Sequence, residues 1–533
     1  MSLVRLIPAV LAAATLSFAA ARADDFATQV KTGSGVVAGA VEHGVLAFKG
    51  IPYAQPPVGR LRWREPLPAM PWQGVRQATA YGHDCMQLPF PADDAPIRTT
   101  PSEDCLVLNV WRPAAATARR LPVMVWIYGG GFTIGGTSPA AYDGSSFARD
   151  GLILVSMNYR LGRFGFFAHP ALTAENPTGL LGNYGYMDQI AALKWVQQNI
   201  AAFGGDPHHV TIFGESAGGG SVHVLMTSPL AQGLFAAAIV ESGGGRGSLM
   251  GPRRLGTDAP GAPSGESIGV NFARSQGIED VGAAGLEKLR ALPAAVVQAG
   301  VGFGVPRATG PLTTAGPMED GRIVSADPSV IYRAGGQAKV PFMIGANTAD
   351  IGGFGGPATL ADLFKPFGGL AAQAQAAYDP EHSGDVRAIA ARVGRDAVMI
   401  EPARFVAATL ASQGQKAWVY RFGYVVDSMR DTWKTGTPHA KEIPFVFDTL
   451  PARYGTAVTA HDAAVAKTVH AYWVRFGKAG DPNGRGLAHW PEYAAATDEL
   501  MIFQADGVAT AQPDPWKAQL DLTAQRAQGT VRP

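Results

Sequence analysis

The stretch that decides the fold is residues 210–224, which read VTIFGESAGGGSVHV. The first four residues form an apolar run that predicts a buried strand, and the residues after Ala217 are compatible with a helix. Between them lies Gly-x-Ser-x-Gly, a sharp turn that exposes a serine between strand and helix. Gly214 and Gly218 lack the Cβ atoms that would clash in this turn. Ser216 is therefore the predicted nucleophile, beside a helix start whose free N–H groups favour an oxyanion.

Four other short apolar runs have the length and the β-branched content of strands buried on both faces. Between the strands, residues 184–203 carry apolar side chains at a spacing of three to four, which predicts an amphipathic helix. Strands that alternate with helices predict a mainly parallel α/β sheet. The four runs are residues 121–128, 152–157, 237–240 and 340–344.

Three consecutive glycines, 129 to 131, follow the first of these strands. Without side chains, their N–H groups are able to turn into a cavity. We expect the amides of Gly130, Gly131 and Ala217 to form a three-donor oxyanion hole.

Composition excludes several classes of protein. The chain has 533 residues, of which 47% are hydrophobic and 16% charged, and this excludes a disordered protein. Forty-four Lys and Arg against 43 Asp and Glu give a formal charge of +1, so no basic excess favours nucleic acid as a partner. Two cysteines are too few for a cysteine-only zinc site, and we expect neither a metal nor an organic cofactor.

The first 23 residues have the pattern of a secretory signal peptide. Arg5 precedes an apolar run from 6 to 21, and Ala21-Arg22-Ala23 has the small-x-small spacing of a cleavage site. We expect cleavage before Asp24 and a secreted or periplasmic protein. No later stretch predicts a membrane span, and no linker interrupts residues 24–533, which we interpret as a single domain.

Five blocks of the chain resemble, in order, the type-B carboxylesterase family, which includes cholinesterases and bile-salt-type lipases. The resemblance implies an α/β-hydrolase fold with large insertions covering the active site. It also implies hydrolysis of small-molecule carboxylic esters. The blocks are residues 48–54 (FKGIPYA), 103–111 (EDCLVLNVW), 203–219 (FGGDP leading to GESAGG), 316–321 (GPMEDG) and 439–445 (HAKEIPF).

The same resemblance assigns His439 as the base of a Ser–His–acid triad. The family places Gly-x-Asn-x-x-Glu-Gly after a strand, and here residues 345–354 read GANTADIGGF. The acid position is therefore Asp350, one methylene shorter than Glu and followed by Ile351 instead of Gly.

Two explanations of this departure stay open. Either Gly352 and Gly353 let the backbone approach His439, or another carboxylate takes the place of Asp350. Asp320 and Asp427 are the leading substitutes, because each lies in a turn or after a strand.

Other polar residues near the nucleophile have weaker assignments. Glu215 is either a carboxylate bound near the helix start or an electrostatic helper of the site. Ser242, after the strand at 237–240, matches a family serine that supports the triad. We interpret His208, His209 and His223 as surface or packing residues, because they lie at the wrong end of the strand or two turns along the helix.

In the family, the counterparts of Cys85 and Cys105 form a disulfide beside the active-site gorge. The loop between them contains no tryptophan. Cholinesterases hold a quaternary ammonium there by cation–π attraction, so choline esters are not favoured.

The sequence thus predicts an exported serine hydrolase that cleaves carboxylic esters through an acyl-enzyme. Two alternatives stay open: an inactive binding or adhesion protein on the same fold, and the same machinery acting on amides or carbonates. Acyl length and oligomeric state are not encoded in any of these motifs.

Overall fold

The computed structural model describes residues 28–42, 44–114, 120–246, 253–305, 309–352 and 356–530. The predicted signal peptide lies outside the described residues. In the described part of the chain, no helix combines the length and the apolar content needed to cross a bilayer.

The strands of the described residues have at most eight residues, apart from Gly205–Glu215, which has 11. In chain order they are β1 (Gln29–Lys31), β2 (Val36–Ala38), β3 (Ala40–Glu42), β4 (Val45–Pro52), β5 (Val75–Gln77), β6 (Val107–Pro113), β7 (Leu121–Ile127), β8 (Ile153–Met157), β9 (Phe166–Phe167), β10 (Gly182–Asn183), β11 (Gly205–Glu215), β12 (Ala237–Glu241), β13 (Phe342–Asn347), β14 (Ala417–Phe422), β15 (Glu499–Phe503) and β16 (Ala509–Pro513).

The helices fall between these strands and after them. They are α1 (Ser145–Arg149), α2 (Gly162–Gly165), α3 (Pro170–Glu175), α4 (Tyr184–Asn199), α5 (Ala217–Thr227), α6 (Gly265–Ser275), α7 (Ala283–Ala291), α8 (Ala294–Gln298), α9 (Pro328–Ala334), α10 (Leu360–Phe364), α11 (Ala371–Tyr378), α12 (Val386–Arg395), α13 (Glu401–Ser412), α14 (Ile443–Val446), α15 (Leu450–Tyr454), α16 (Ala460–Ala479) and α17 (Lys517–Thr530). Short 3₁₀ turns cover Gly59–Leu61, Ala140–Tyr142, Ile200–Phe203, Lys365–Leu370, Asp427–Met429 and Gly455–Ala457, and Asp396–Ile400 is a π-helix.

Eleven of the described strands form one twisted sheet, in the order β16-β15-β14-β13-β12-β11-β7-β8-β6-β4-β3. In this order, the neighbouring strands from β15 through β11 and β7 to β8 pair in parallel. At one end of the sheet β16 is antiparallel to β15, and at the other end β8, β6, β4 and β3 pair with one another in antiparallel fashion. Helices pack against the sheet, including α5 on β11 and β12 and α13 on β13 and β14. This mixed, mainly parallel sheet with flanking helices is the α/β-hydrolase fold, as predicted.

The elements follow the sequence pattern closely. The five apolar runs are β7, β8, β11, β12 and β13, and every residue of β8, β12 and β13 is buried. The helix predicted over 184–203 is α4 followed by a 3₁₀ turn. The largest hydrophobic core contains residues from Val30 to Phe503. The domain boundary at residue 24 and the interpretation of residues 24–533 as a single domain stay predictions.

The candidate functional residues follow the carboxyl ends of the parallel strands. The carboxyl ends of parallel neighbours meet at the same edge, where α/β proteins bind their ligands. The glycine run, Ser216, Ser242 and Asp350 follow β7, β11, β12 and β13 respectively, and His439 comes after β14.

Candidate active site

Ser216 occupies a strained turn between β11 and α5. Its backbone has φ 55° and ψ −120°, a conformation that non-glycine residues rarely adopt and that recurs at active sites. The Ser216 N–H donates to the carbonyl of Glu241 (2.9 Å) and so fixes the turn on the neighbouring strand β12. A Cβ at Gly218 would lie 2.0 Å from the Ile127 carbonyl oxygen, which explains the glycine of the motif.

The glycine run after β7 lies directly against this turn. A Cβ on Gly129 would meet the Glu215 side chain at 2.7 Å. Gly130 and Gly131 have φ of +100° and +60°, and their N–H groups donate no hydrogen bond to any other described residue. Ala217 is the first residue of α5, so its N–H has no intrahelical acceptor. These three amides are available to an oxyanion.

His439 reaches the site from the loop after β14. Its Nδ1 lies 2.6 Å from Asp350 Oδ1, within hydrogen-bond distance. The loops that carry the two residues are joined by a bridge between Ala349 and Pro438, in which the Ala349 N–H donates to the Thr437 carbonyl (2.9 Å). Asp350 thus reaches His439 despite its short side chain, because its backbone is held beside the histidine loop.

The packing of the residues after Asp350 explains how this carboxylate lies so close to His439. A Cβ on Gly352 would lie 2.5 Å from the Arg395 nitrogen at the end of α12, so glycine lets this loop pack onto that helix. Ile351 contributes its N–H, which donates to Asp350 Oδ1 (2.8 Å). The other glycine of the sequence argument, Gly353, lies outside the described residues.

The two substitute acids lie in other hydrogen-bond networks. Asp320 accepts hydrogen bonds from three backbone N–H groups of its own turn and from the Asn183 side chain. Asp427 pairs with Arg430 (2.8 Å) and accepts from Thr459 Oγ1 (2.7 Å). Among the three candidate acids, Asp350 is the one that contacts His439.

Ser242 holds the far side of Asp350. It follows β12 with a left-handed φ of 46°, and its Oγ donates to Asp350 Oδ2 (2.6 Å). The Asn347 N–H donates to the same oxygen (3.0 Å). Burial raises the pKa of Asp350, but the charge of His439 and these hydrogen bonds outweigh it, so the pKa lies below its usual value.

Glu215 lies on the other side of the imidazole. Its Oε1 is 3.2 Å from His439 Nε2 and accepts no hydrogen bond within the described residues. Burial raises the pKa of Glu215, and the charge of His439 opposes this rise. Burial lowers the pKa of His439, but the charges of Glu215, Asp350 and Glu442 together raise it above its usual value. Of the two interpretations of Glu215, the geometry favours the electrostatic one.

Two further buried acids were not singled out from the sequence. Glu442 is fully buried and accepts a hydrogen bond from Asn347 Nδ2, and Glu241 accepts one from Trp473 Nε1 (2.7 Å). Burial raises the pKa of both carboxyl groups. A signal was present in each case, because Glu442 lies in the block that contains His439 and Glu241 directly precedes Ser242.

The histidines close to Ser216 in sequence and the two cysteines lie outside the contacts of the Ser216 site. His223 is buried between the Tyr332 hydroxyl (2.8 Å) and the Gly244 carbonyl (3.2 Å), whereas His208 lies exposed near the start of β11. A disulfide joins Cys85 and Cys105. Within the described residues, no group of three metal-ligating side chains is placed to hold a metal ion.

Ser216, His439, Gly129 and Gly130 line one cavity of about 250 Å³. The disulfide-closed loop forms one of its walls through residues 90 and 92–95. Apolar side chains from α14 and from the segment after the glycine run form much of the rest. A strained serine, a half-buried histidine paired with a buried carboxylate, and free backbone amides therefore meet in one small cleft, an arrangement suited to acyl transfer.

Comparison with known proteins agrees with this arrangement. A model of the Carboxylesterase family matches residues 27–360 and 369–520. The chain is 35% identical over 498 residues to fumonisin B1 esterase of Sphingopyxis macrogoltabida, covering 91% of this chain and 88% of that protein. It is 34% identical to para-nitrobenzyl esterase of Bacillus subtilis (strain 168), covering 92% and 97%. A solved structure of PNB esterase has a TM-score of 0.78, 31% identity, and coverage of 93% and 99%.

Fold, site and relatives together define a serine hydrolase of the α/β-hydrolase class. The chain belongs to the carboxylesterase family. It is a carboxylic-ester hydrolase.

Proposed function

We propose that Ser216, His439 and Asp350 form the catalytic triad of this esterase. The observation that carries the proposal is the hydrogen bond between His439 Nδ1 and Asp350 (2.6 Å), beside the cavity that exposes Ser216 on its strained turn. Asp350 fixes the tautomer in which Nδ1 carries the proton, so Nε2 is free to accept one. It also stabilises the imidazolium that follows.

The first half of the reaction forms the acyl-enzyme. His439 Nε2 takes the proton of Ser216 as the serine oxygen attacks the ester carbonyl. The amides of Gly130, Gly131 and Ala217 donate to the oxyanion of the tetrahedral intermediate. When the intermediate collapses, His439 returns the proton to the departing alcohol, and the acyl group stays on Ser216.

In the second half, water replaces the alcohol. His439 takes a proton from the water, hydroxide attacks the acyl carbonyl, and the same amides bind the second oxyanion. The carboxylic acid then leaves and Ser216 recovers its proton. No step requires a group beyond the residues named.

We propose small-molecule carboxylic esters as the substrates. Two relatives are named for different esters, those of fumonisin B1 and of para-nitrobenzyl alcohol. Membership of the family therefore does not identify the ester, and we infer that the residues lining the cavity determine it. Comparison of turnover on an ester with that on the isosteric amide and carbonate separates esterase action from the two related activities.

The nucleophile assignment is tested with Ser216→Ala. We expect the variant to lose turnover of p-nitrophenyl acetate and covalent labelling by an organophosphate, because both require the serine oxygen. Ser275→Ala, an exposed serine on α6, is the matched control and retains both. Labelling of Ser216→Ala in the active-site cavity contradicts the assignment.

We also propose that the protein is exported. The charged start, apolar run and cleavage site of residues 1–23 support this, and so does the disulfide, because such bonds persist in oxidising compartments. The mature chain then begins near Asp24.

A further inference from the structure

A second cavity lies away from the catalytic one, between residues 61–67 and residues 172–181. Its volume is about 420 Å³, against about 250 Å³ for the catalytic cavity, and the two share no lining residue. This size falls within the roughly 300–1,000 Å³ of pockets that hold small molecules. No step of the proposed hydrolysis uses this space. Its apolar wall consists mainly of Leu61, Trp63, Leu67, Leu172, Leu180 and Leu181.

Trp63 is held rigidly in the wall of this cavity. It is 1% exposed and has a left-handed φ of 57°, a conformation that bulky residues rarely adopt and that recurs at ligand sites. Its ring stacks on Phe167 with centroids 4.4 Å apart, and its Nε1 donates to the Arg163 carbonyl (2.7 Å). The carbonyl of Arg64, the next residue, accepts from Arg160 (2.9 Å). The indole is therefore fixed in advance, and binding against it costs little further ordering.

Two polar contacts join the two segments that enclose the cavity. Arg64 donates to Glu175 Oε1 (2.9 Å), and the same carboxylate accepts two hydrogen bonds from Arg290 of α7 (2.7 Å each). The Leu180 N–H donates to Glu65 Oε1 (3.0 Å). The segments are thus tied at two points, and leucines of both segments line the space that is left between them.

The charged side chains of the cavity are balanced. Arg64, Glu65 and Glu175 line it, and Arg290 pairs with Glu175, so two cations oppose two anions. The hydrogen bonds from Arg290 lower the pKa of Glu175 to about 2, so this carboxylate stays charged and paired. A ligand with a net charge would place an uncompensated ion against the leucines, which costs free energy. The cavity therefore suits an uncharged molecule.

One lining polar group has no partner inside the protein. The side-chain amide of Asn176, a half-buried residue, makes no hydrogen bond within the described residues. A Cβ on Gly179 would lie 1.7 Å from its Nδ2, so the glycine leaves room for this amide. An amide offers both a donor and an acceptor. A hydroxyl or carbonyl group of a ligand would satisfy it while the rest of the ligand covers the leucines.

We propose that this cavity is a second, non-catalytic binding site for a small uncharged molecule with an apolar body and one hydroxyl or carbonyl group. The inference does not depend on the proposed triad, because the cavity contains none of its residues. Benzyl alcohol is a suitable probe, since it has one ring for the leucine wall and one hydroxyl for Asn176. Benzoate and benzylammonium carry the same ring with a negative or a positive charge.

The experiment titrates benzyl alcohol into organophosphate-treated protein and follows binding by saturation-transfer NMR. The organophosphate occupies the catalytic cavity, so the signal reports the second one. We expect one saturable site. Benzoate and benzylammonium bind at least about tenfold more weakly, because each leaves a charge uncompensated beside the apolar wall.

Two substitutions locate the site. Leu180→Trp fills the cavity from its wall and lowers the affinity at least about tenfold, the scale of a change in fit to an apolar pocket. Asn176→Ala removes the polar partner and lowers the affinity by about three- to tenfold, as expected for one lost hydrogen bond. Leu230→Trp, at an exposed leucine outside both cavities, is the matched control and binds the probe like the wild type.

A cooperative thermal transition shows that each variant is folded, and Asn176→Ala alone decides if Leu180→Trp is not. Absence of saturable binding to the wild type overturns the inference, as does wild-type affinity in the folded cavity variants. Equal or tighter binding of either ion contradicts the uncharged class of ligand. These results leave the hydrolytic mechanism untouched, since Ser216→Ala tests it separately.

Discussion

At the scale of single residues, the feature that most affects the chemistry is the negative charge around His439. Asp350, Glu215 and Glu442 are all buried, and each favours the imidazolium over the neutral ring. The proposed mechanism creates an imidazolium in both halves of the reaction. Buried carboxylates therefore stabilise the charged form where water does not compete with them.

Asp350→Asn tests the acid of the triad. We expect the variant to fold normally, to keep slow organophosphate labelling at Ser216, and to lose at least about a hundredfold in kcat. The reason is that an amide does not hold the required tautomer, and the same change costs about 10⁴ in the serine-protease template. Asp427→Asn is the control with normal kcat. Near-normal kcat in Asp350→Asn removes Asp350 from the triad.

Glu215→Gln tests the electrostatic interpretation of Glu215. His439 must be neutral to act as a base, so kcat/KM rises with pH through its pKa. Removal of a negative charge lowers the pKa of His439, and the rising limb of the pH profile moves to lower pH. The profile of kcat/KM shows the shift when it is measured from near the ordinary His pKa of about 6.5 to above pH 10, since the surrounding charges raise the pKa of His439 to about 10.

The matched control for this shift is Glu241→Gln. Glu241 is a buried carboxyl group like Glu215, but it accepts a hydrogen bond from Trp473 Nε1 (2.7 Å), and the charges that raise the pKa of His439 are those of Glu215, Asp350 and Glu442. We expect its profile to stay in place. A Glu215→Gln limb that stays or moves to higher pH contradicts the electrostatic role.

At the scale of elements, the site depends on how loops are tied at the ends of β13 and β14. The bridge between Ala349 and Pro438 sets the register of the two loops. Arg395 of α12 donates to the Thr348 carbonyl (2.6 Å) and stacks on the Trp516 ring at 3.9 Å, just before α17. Elements far apart in the sequence thus support the loop that carries the triad acid.

Gly352→Ala tests this support. The new Cβ would meet backbone at the end of α12 at 2.5 Å, so the loop or the helix must move. We expect a loss of about 1–3 kcal/mol in the free energy of unfolding, typical of overpacking, together with a lower kcat. Thermal unfolding and p-nitrophenyl acetate kinetics measure both effects.

Gly356→Ala is the matched control, because a Cβ there meets nothing within 4 Å. We expect its stability and activity to equal those of the wild type or slightly exceed them. If the two alanine variants behave alike, the packing of Gly352 is not what positions Asp350.

At the scale of the whole molecule, one covalent link bears on both stability and the cleft. The disulfide between Cys85 and Cys105 closes the loop that forms one wall of the cavity and carries Phe90. A bridge across about 20 residues stabilises a fold by about 3 kcal/mol on the loop-entropy model. The bond forms in an oxidising compartment, which connects it to the proposed export.

Intact mass of the protein recovered from its natural host tests both statements together. Under non-reducing, alkylating conditions, we expect a chain that begins near Asp24 and carries no added alkyl group. Reduction before alkylation adds two groups and serves as the control. Two groups without reduction indicate free thiols, and a chain that begins at Met1 contradicts export by cleavage.

The sequence by itself determined the features that depend on neighbouring residues. The turn around Ser216 is encoded within a few positions, since Gly214 and Gly218 are needed by contacts made inside the turn and with the adjacent strand. Apolar runs of strand length predicted β7, β8, β11, β12 and β13, because strands buried on both faces need continuous hydrophobicity.

Only the tertiary structure decided what depends on residues distant in the chain. Asp350 and His439 are separated by 89 positions, and their contact rests on two loops tied at the edge of a sheet. The family spacing assigned the acid to Asp350, but its departures from the pattern left Asp320 and Asp427 open, and it is the contact with His439 that distinguishes Asp350 from them. Likewise, Phe303 lines the cleft on a segment whose flanking residues Val297 and Thr313 accept hydrogen bonds from Arg163, more than a hundred residues earlier in the chain. Such contacts are selected by the packing of the whole core and are invisible in any short stretch of sequence.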